Sequence, residues 1–170
     1  ALGALGYAFY TLRNASDSLD RAESQRIRSY QLAMELRQSS DDLTRMARSF
    51  VQTLQPEYER QYYAVLDIRN GRALRPEGYH QIYWDLIDPG NPGKKPRPDT
   101  NETVPLKTLM QQAGFTDKEL ALVTASENNS NVLAKIEAVA MNMVRGRYED
   151  KDGNFSRQDA PDHATAAQMM

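Results

Sequence analysis

The stretch Arg37–Phe50, RQSSDDLTRMARSF, decides how the chain reads, because it carries an apolar seam through a run of hydroxyls and charges. The seam advances at alternating three- and four-residue steps: Leu12, Ala15, Leu19, Ala22, Arg26, Ser29, Ala33, Leu36, Ser40, Leu43, Ala47, Phe50, Leu54. A repeat of about 3.5 residues belongs to helices packed along their lengths. Arg26, Ser29 and Ser40 break it, and a polar group in a core-facing stripe costs stability unless something bonds it. Each break therefore calls for a partner on a facing helix or for a ligand.

With 170 residues, 40% hydrophobic and 26% charged, the chain has the size of one ordinary domain. Its 21 basic and 23 acidic residues are interspersed, with a net charge of -2, which gives no footprint for nucleic acid. Cysteine is absent, so disulfides and thiolate metal sites are excluded. The first ten residues, ALGALGYAFY, are almost wholly apolar and precede Arg13. Spanning a bilayer takes about 20 such residues. Residues 1–12 therefore read as the end of a transmembrane helix, with Tyr7 and Tyr10 at the interface and Arg13 in water; the alternative is a hydrophobic helix end packed on a partner. The last ten, PDHATAAQMM, read as a helix only begun. The expectation is a fragment lacking both membrane-proximal ends, with residues 13–170 forming the domain outside the membrane.

The first helix should run from about Ala4 to Leu54 and stop before Pro56. PEYERQYYAVLDIRNG makes a second, ending at Gly71, and Pro76 opens a third short piece, PEGYHQIYWDLI. DPGNPGKKPRPDTNETVP, with five prolines and two glycines, reads as loop. PLKTLMQQ is a short helix closed at Gly114. In TDKE, Thr116 and Glu119 form a capping box for a helix that ends near Gly146. This last helix has its own seam: Leu122, Ala125, Asn129, Val132, Ile136, Val139, Met143. The fold class is all-α, a long antiparallel four-helix-bundle-like arrangement whose fourth helix is incomplete. Leu36, Leu43, Phe50, Val132, Ile136 and Val139 should be buried together.

If the two long helices point the same way, Ser40 and Asn129 fall at nearly the same height. They serve either as an interhelical hydrogen bond that fixes register or as the lining of a polar pocket between helices. Thr44 and Arg48 lie on a stripe beside the seam, and Arg48 is the better placed for an anion. Tyr79, His80, Tyr83 and Trp84 form an aromatic cluster, read as Tyr79 over Tyr83 and His80 over Trp84 on one short helix. Such a cluster is either core or, beside the Pro-rich loop, a roofed pocket for a cationic or apolar ligand. The pocket reading takes Ser40, Thr44, Arg48, Tyr83, Trp84 and Asn129 as its ligand-binding residues.

Other signals lead less far. YEDKDGNFSRQD approximates a calcium loop, but Tyr148 stands where the first carboxylate is required, and an acidic turn at Asp152-Gly153 accounts for the same letters. LMQQAGFTDKELALV imitates a DNA-binding helix pair, yet Asp117 and Glu119 would repel phosphate. His80 and His163 are isolated, and the sequence holds no phosphate loop and no nucleophile–base pair, so the reading is of a non-enzyme without cofactor or metal.

The ordered series LRQSSDDLTRMARSFVQT, PEYERQYYAVLDIRNG, RPEGYHQIYWDL, LMQQAGFTDKELAL and AMNMVRG resembles the periplasmic sensor region of bacterial methyl-accepting chemotaxis proteins. Similar input regions precede diguanylate cyclase and histidine kinase modules. The resemblance covers roughly residues 29–170. It implies a helical, homodimeric sensor held between transmembrane helices of the bacterial inner membrane, with this region in the periplasm. Such a sensor binds a small molecule or partner and passes a helix shift to a cytoplasmic module. The family's glycine-aspartate pair is replaced here by Leu54-Gln55. The competing reading from another class is a structural or partner-binding helical bundle.

Overall fold

The computed structural model describes residues 2–88, 91 and 93–170, with side chains from Arg13 onward. The expected interfacial placement of Tyr7 and Tyr10 lies outside the described side chains. Among the described residues no helix is long and apolar enough to cross a membrane.

The chain is mostly helical. Helix α1 (Leu2–Thr53) is followed by α2 (Pro56–Arg69), a 3-10 turn at Trp84–Leu86, α3 (Leu106–Gln112), α4 (Asp117–Met143), the short strands β1 (Arg147–Tyr148) and β2 (Arg157–Gln158), and α5 (His163–Met169). Proline at the start of α2 cannot donate the amide that α1 would need to continue, and the connecting Leu54 sits in the left-handed region at φ 56°. Helix α2 turns back along α1, so that Arg75, just beyond its end, meets Glu35. Helix α4 starts on the expected capping box of Thr116 and Glu119. It runs in the same direction as α1: Gln25 and Ser29 donate to the carbonyl of Ala113 just before its start, and Arg145 past its end lies over the Phe50 ring. The Ser29 break in the seam is thereby explained, since its hydroxyl bonds the end of α3. Gly114 (φ 83°) lies so close to the Gln25 amide that a Cβ there would meet it at 2.1 Å.

Two apolar clusters stack along α1. Leu32 packs with Leu106, Leu109, Met110 and Val123; farther along, Leu43, Met46, Ala47 and Phe50 pack with Tyr62, Val65, Ile68, Ala140, Met141 and Val144. Between them lies a charged layer. Arg75 Nε donates to Glu35 Oε1 at 2.8 Å, and its other nitrogens reach the carbonyls of Val104 (3.1 Å) and Ile68 (3.4 Å). Both side chains are buried, so the pair is fully hydrogen-bonded where an unpaired charge would be costly.

The structure departs from the sequence expectations in two places. The segment opened by Pro76 is a series of turns with one 3-10 turn, and so Tyr79, His80, Tyr83 and Trp84 do not stack as a helical face. The seam of α4 points outward: Val132 is 62% and Leu122 66% exposed. The residues that α4 buries are Val123, Glu137, Ala140 and Met141, so only Leu43 and Phe50 of the six residues expected to be buried together belong to the core. The calcium-like segment, by contrast, is the acidic turn expected at Asp152-Gly153: the Asp150 carboxylate accepts from the amides of Asp152 and Asn154 and from the Ser156 hydroxyl.

Candidate functional site

The residues between α2 and α3 form a loop tied at its base. Gly71 (φ 67°) packs so closely on Val104–Pro105 that a Cβ would meet the Pro105 nitrogen at 2.5 Å, which leaves glycine as the residue that fits. The two arms are then laced by backbone bonds: Arg75 N to Glu102 O (3.1 Å), Thr100 N to Arg75 O (2.7 Å) and Glu77 N to Pro98 O (2.9 Å). A strap held in this way stands over one face of α2 instead of ranging free.

Beneath the strap lies a cleft of about 350 Å³, within the range of small-molecule sites. Its helix wall is Glu57, Arg60, Gln61, Ala64 and Ile68, spaced to share one face of α2. Opposite are Tyr83, Trp84 and Ile87, and the rim is Lys94, Lys95 and Asp99. A second cleft of about 420 Å³ continues past Trp84 and Ile87 to Arg45, Tyr58 and Asp85. The two share Glu57, Arg60, Gln61, Trp84 and Ile87, and together make one groove along α2.

The aromatic wall is joined by ring contacts and a hydrogen bond. Tyr83 and Trp84 meet edge to face at 5.0 Å, Tyr79 and Tyr83 at 5.6 Å, and the Trp84 indole donates to the Tyr79 hydroxyl at 3.1 Å. The guanidinium of Arg97 stands 5.6 Å from the centre of the Tyr83 ring and donates to the side-chain oxygen of Gln81 (3.1 Å) and the backbone carbonyl of Ile82 (2.6 Å). Burial pushes the Tyr83 phenol above its ordinary value, with Lys95 and Arg97 opposing the shift, so the phenol stays neutral. On the rim Lys95 pairs with Asp99, and on the wall Arg60 pairs with Glu57. Two buried polar atoms of the strap, Arg97 Nε and Asp99 Oδ1, have no partner.

Of the six residues taken from the sequence as ligand-binding, the structure brings Tyr83 and Trp84 into this groove. Thr44 lies elsewhere, donating to Glu137 Oε1 at 2.9 Å, while Tyr62 donates to Glu137 Oε2 at 3.1 Å. Arg48 donates to the carbonyl of Met170 at 2.7 Å and is close enough to pull the Glu137 carboxyl down against the stronger upward push of burial. Ser40 donates to the carbonyl of Leu36 in its own helix at 3.1 Å, and Asn129 is exposed on α4. The Ser40–Asn129 register bond is therefore absent, because the two residues face different ways at similar heights.

Sequence reasoning missed the buried charges Glu35, Asp42, Arg69, Arg75 and Glu137. Glu137 had one available signal: Val123, Ser130, Glu137 and Val144 are spaced seven apart, a second helical stripe beside the more apolar one. Comparison of the chain with known protein families, curated proteins and solved structures finds no significant match.

Proposed function

We propose that this chain is the extracytoplasmic sensor domain of a transmembrane chemoreceptor. It binds a small molecule in the α2–strap groove and passes a helix shift to a cytoplasmic signalling module. In this reading the protein is anchored in the bacterial inner membrane and has no catalytic role. The groove carries the proposal, because Tyr83 and Trp84 belong to the same apolar cluster as Leu43, Met46 and Phe50 of α1. An occupant that moves the Trp84 wall thus presses on α1, the longest element of the domain. The ordered motifs resembling chemoreceptor sensor regions support the same reading.

A homodimer completes the proposal. The outward seam of α4 and the exposed Leu19, Ile27 and Tyr30 of α1 form stripes at helical-packing spacing, and a second copy of the chain covers them as a four-helix-bundle-like assembly. The same stripes favour the second reading, a structural or partner-binding bundle without a small ligand; an input region for a diguanylate cyclase or histidine kinase differs only in the attached module.

A thermal-shift screen of organic acids, amines and amino acids tests the ligand reading, with Ala64→Trp filling the groove. A compound present at 100 times its Kd should stabilise the native state by about 2.7 kcal/mol, and Ala64→Trp should remove that gain while leaving the helical circular dichroism unchanged. Absence of any stabilising compound would move the assignment to the partner-binding bundle.

A further inference from the structure

We propose that the α2–strap groove is selective for an organic monoanion with an apolar body, such as an aryl or medium-chain alkyl carboxylate, whose charged head meets Lys94. The inference rests on the reading of this groove as the ligand site and adds the chemical class.

The body of the ligand follows from the walls. Ala64, Ile68, Trp84 and Ile87 offer aliphatic and aromatic surface, and a cleft of about 350 Å³ accommodates a ring or a short chain. The sign of the head follows from which charges are already matched. Arg60 is paired with Glu57 and Lys95 with Asp99. Lys94 also lines the cleft and has no ion-pair partner among the described residues. Three cations thus face two carboxylates in this cleft, and in the adjoining one Arg45 is matched by Asp85, so one negative charge on the ligand balances the groove. A dianion would bring a second charge into the groove without a partner, at a desolvation cost.

A cationic ligand, the class that an aromatic cluster first brings to mind, is disfavoured by the same geometry. Cation binding by aromatics uses open ring faces. Here the rings meet one another edge to face, and the guanidinium of Arg97 already stands over Tyr83. Both carboxylates in the cleft already have a cation of the protein beside them, Asp99 through its Oδ2 and Glu57 through its Oε2. The aromatic wall is therefore left to serve as apolar surface.

Trp84 is the single tryptophan of the chain, so its fluorescence reports occupancy of the groove directly. The test is a titration with three compounds of matched shape, phenylacetate, phenylacetamide and phenethylamine, repeated with hexanoate and hexylamine. Phenylacetate or hexanoate should bind more tightly than its neutral or cationic counterpart, and the preference should shrink as salt rises. Lys94→Gln should weaken carboxylate binding about tenfold, the loss of one charge-assisted contact, and leave phenylacetamide unaffected; Lys94 is exposed, so the variant should fold. Lys94→Glu should reverse the preference toward the amine. Tighter binding of the amines by the unaltered protein, or carboxylate binding indifferent to Lys94→Gln, would overturn the monoanion assignment and leave the groove as the ligand site. If none of the compounds perturbs Trp84 and none of the wider acid, amine and amino-acid panel binds, the groove itself is not the site and both inferences fall.

Discussion

Helix α1 passes through two environments. From Arg13 to Ile27 every residue is exposed, whereas from Leu32 to Val51 nine residues are buried, Glu35, Ser39 and Asp42 among them. Apolar Leu19 and Ile27 stay in water on the first half, while the polar side chains of Glu35, Ser39 and Asp42 are buried on the second. Burial in this domain is decided by what a face meets and not by how apolar it is. The inner face of α1 meets α2, α3, α4 and the base of the strap, which bring Arg75 and the Glu137 layer. From Arg13 to Ile27 the helix touches the α3–α4 turn through Gln25 but buries no side chain, and an isolated helix of that length is marginal in water.

The largest expected effect separates the two halves. Phe50 is fully buried, so Phe50→Ala should destabilise the domain by about 3–5 kcal/mol. Ile27→Ala, on the exposed half, should change it by no more than about 0.5 kcal/mol at low protein concentration. Urea denaturation measures both, and comparable losses would mean that α1 is supported evenly along its length.

The charged layer sharpens the contrast. Arg75→Met strands the Glu35 carboxylate and should cost about 3–5 kcal/mol, whereas adding Glu35→Leu should recover much of the loss, because a buried pair often exchanges for apolar packing. Recovery failing in the double variant would show that Arg75 matters for the carbonyls of Val104 and Ile68, and so for the base of the strap, more than for Glu35.

Titration distinguishes the buried interior from the exposed ends. Burial raises the carboxyls of Glu35, Asp42 and Glu137 above their ordinary values. The folded state then holds these protons more tightly than the unfolded one. Their contribution to stability is fully present below the unfolded values of 4.5 for Glu and 3.8 for Asp, and it is lost as pH rises through the raised folded values. The exposed caps run the other way. Hydrogen bonds to Thr116 lower the Glu119 carboxyl and bonds to Ser156 and Asn154 lower that of Asp150, so their contribution is lost as pH falls. Glu137→Gln keeps a side chain that can bond both Thr44 and Tyr62, and it should flatten the decline in stability above pH 4.5. An unchanged slope would mean that Glu137 is already ionised throughout that range.

The turn between the packed helices offers a smaller effect. Leu54 holds φ 56° and is 43% exposed, so it bears left-handed strain with little burial to offset it. Leu54→Gly removes that strain, because glycine enters the left-handed region without a Cβ penalty, and it should stabilise by about 1 kcal/mol. A loss instead would place a packing role on the leucine.

Much of the secondary structure was legible because its signals are local. Pro56, the Thr116–Glu119 box and the glycines at 71, 114 and 146 each act on their own turn of chain. The facing of the long helices was not, for a physical reason. On α4 the stripe with the cleaner hydrophobic pattern, Leu122 through Met143, lies about one residue, or 100°, round the helix from the stripe that is buried. The buried stripe is disguised by Ser130, which receives the buried Arg69, and by Glu137. Reading it would have required knowing that Thr44, Tyr62 and Arg69 stand opposite. The groove was half legible: Tyr83 and Trp84 stood out as aromatics beside a Pro-rich loop, but Lys94 acquires meaning only when Arg60 and Lys95 are seen to be paired.

The smallest expected effect bears on the exposed half itself. Leu19→Ser and Val132→Ser each remove apolar surface that is already in water, 70% and 62% exposed respectively, so in dilute solution each should shift stability by no more than about 0.5 kcal/mol. The same substitutions should become costly as protein concentration rises if a second copy covers the stripes, because association stabilises the folded state by mass action and the variants forfeit it. The observable is therefore a difference of slopes: the melting temperature of the unaltered protein should climb with concentration, and that of the variants should stay flat, with sedimentation recording dimer against monomer. Equal slopes for all three proteins would leave the exposed seam without a second copy to cover it. The two halves of α1 would then differ in exposure for a reason other than self-association, and the partner-binding reading would gain the surface it requires.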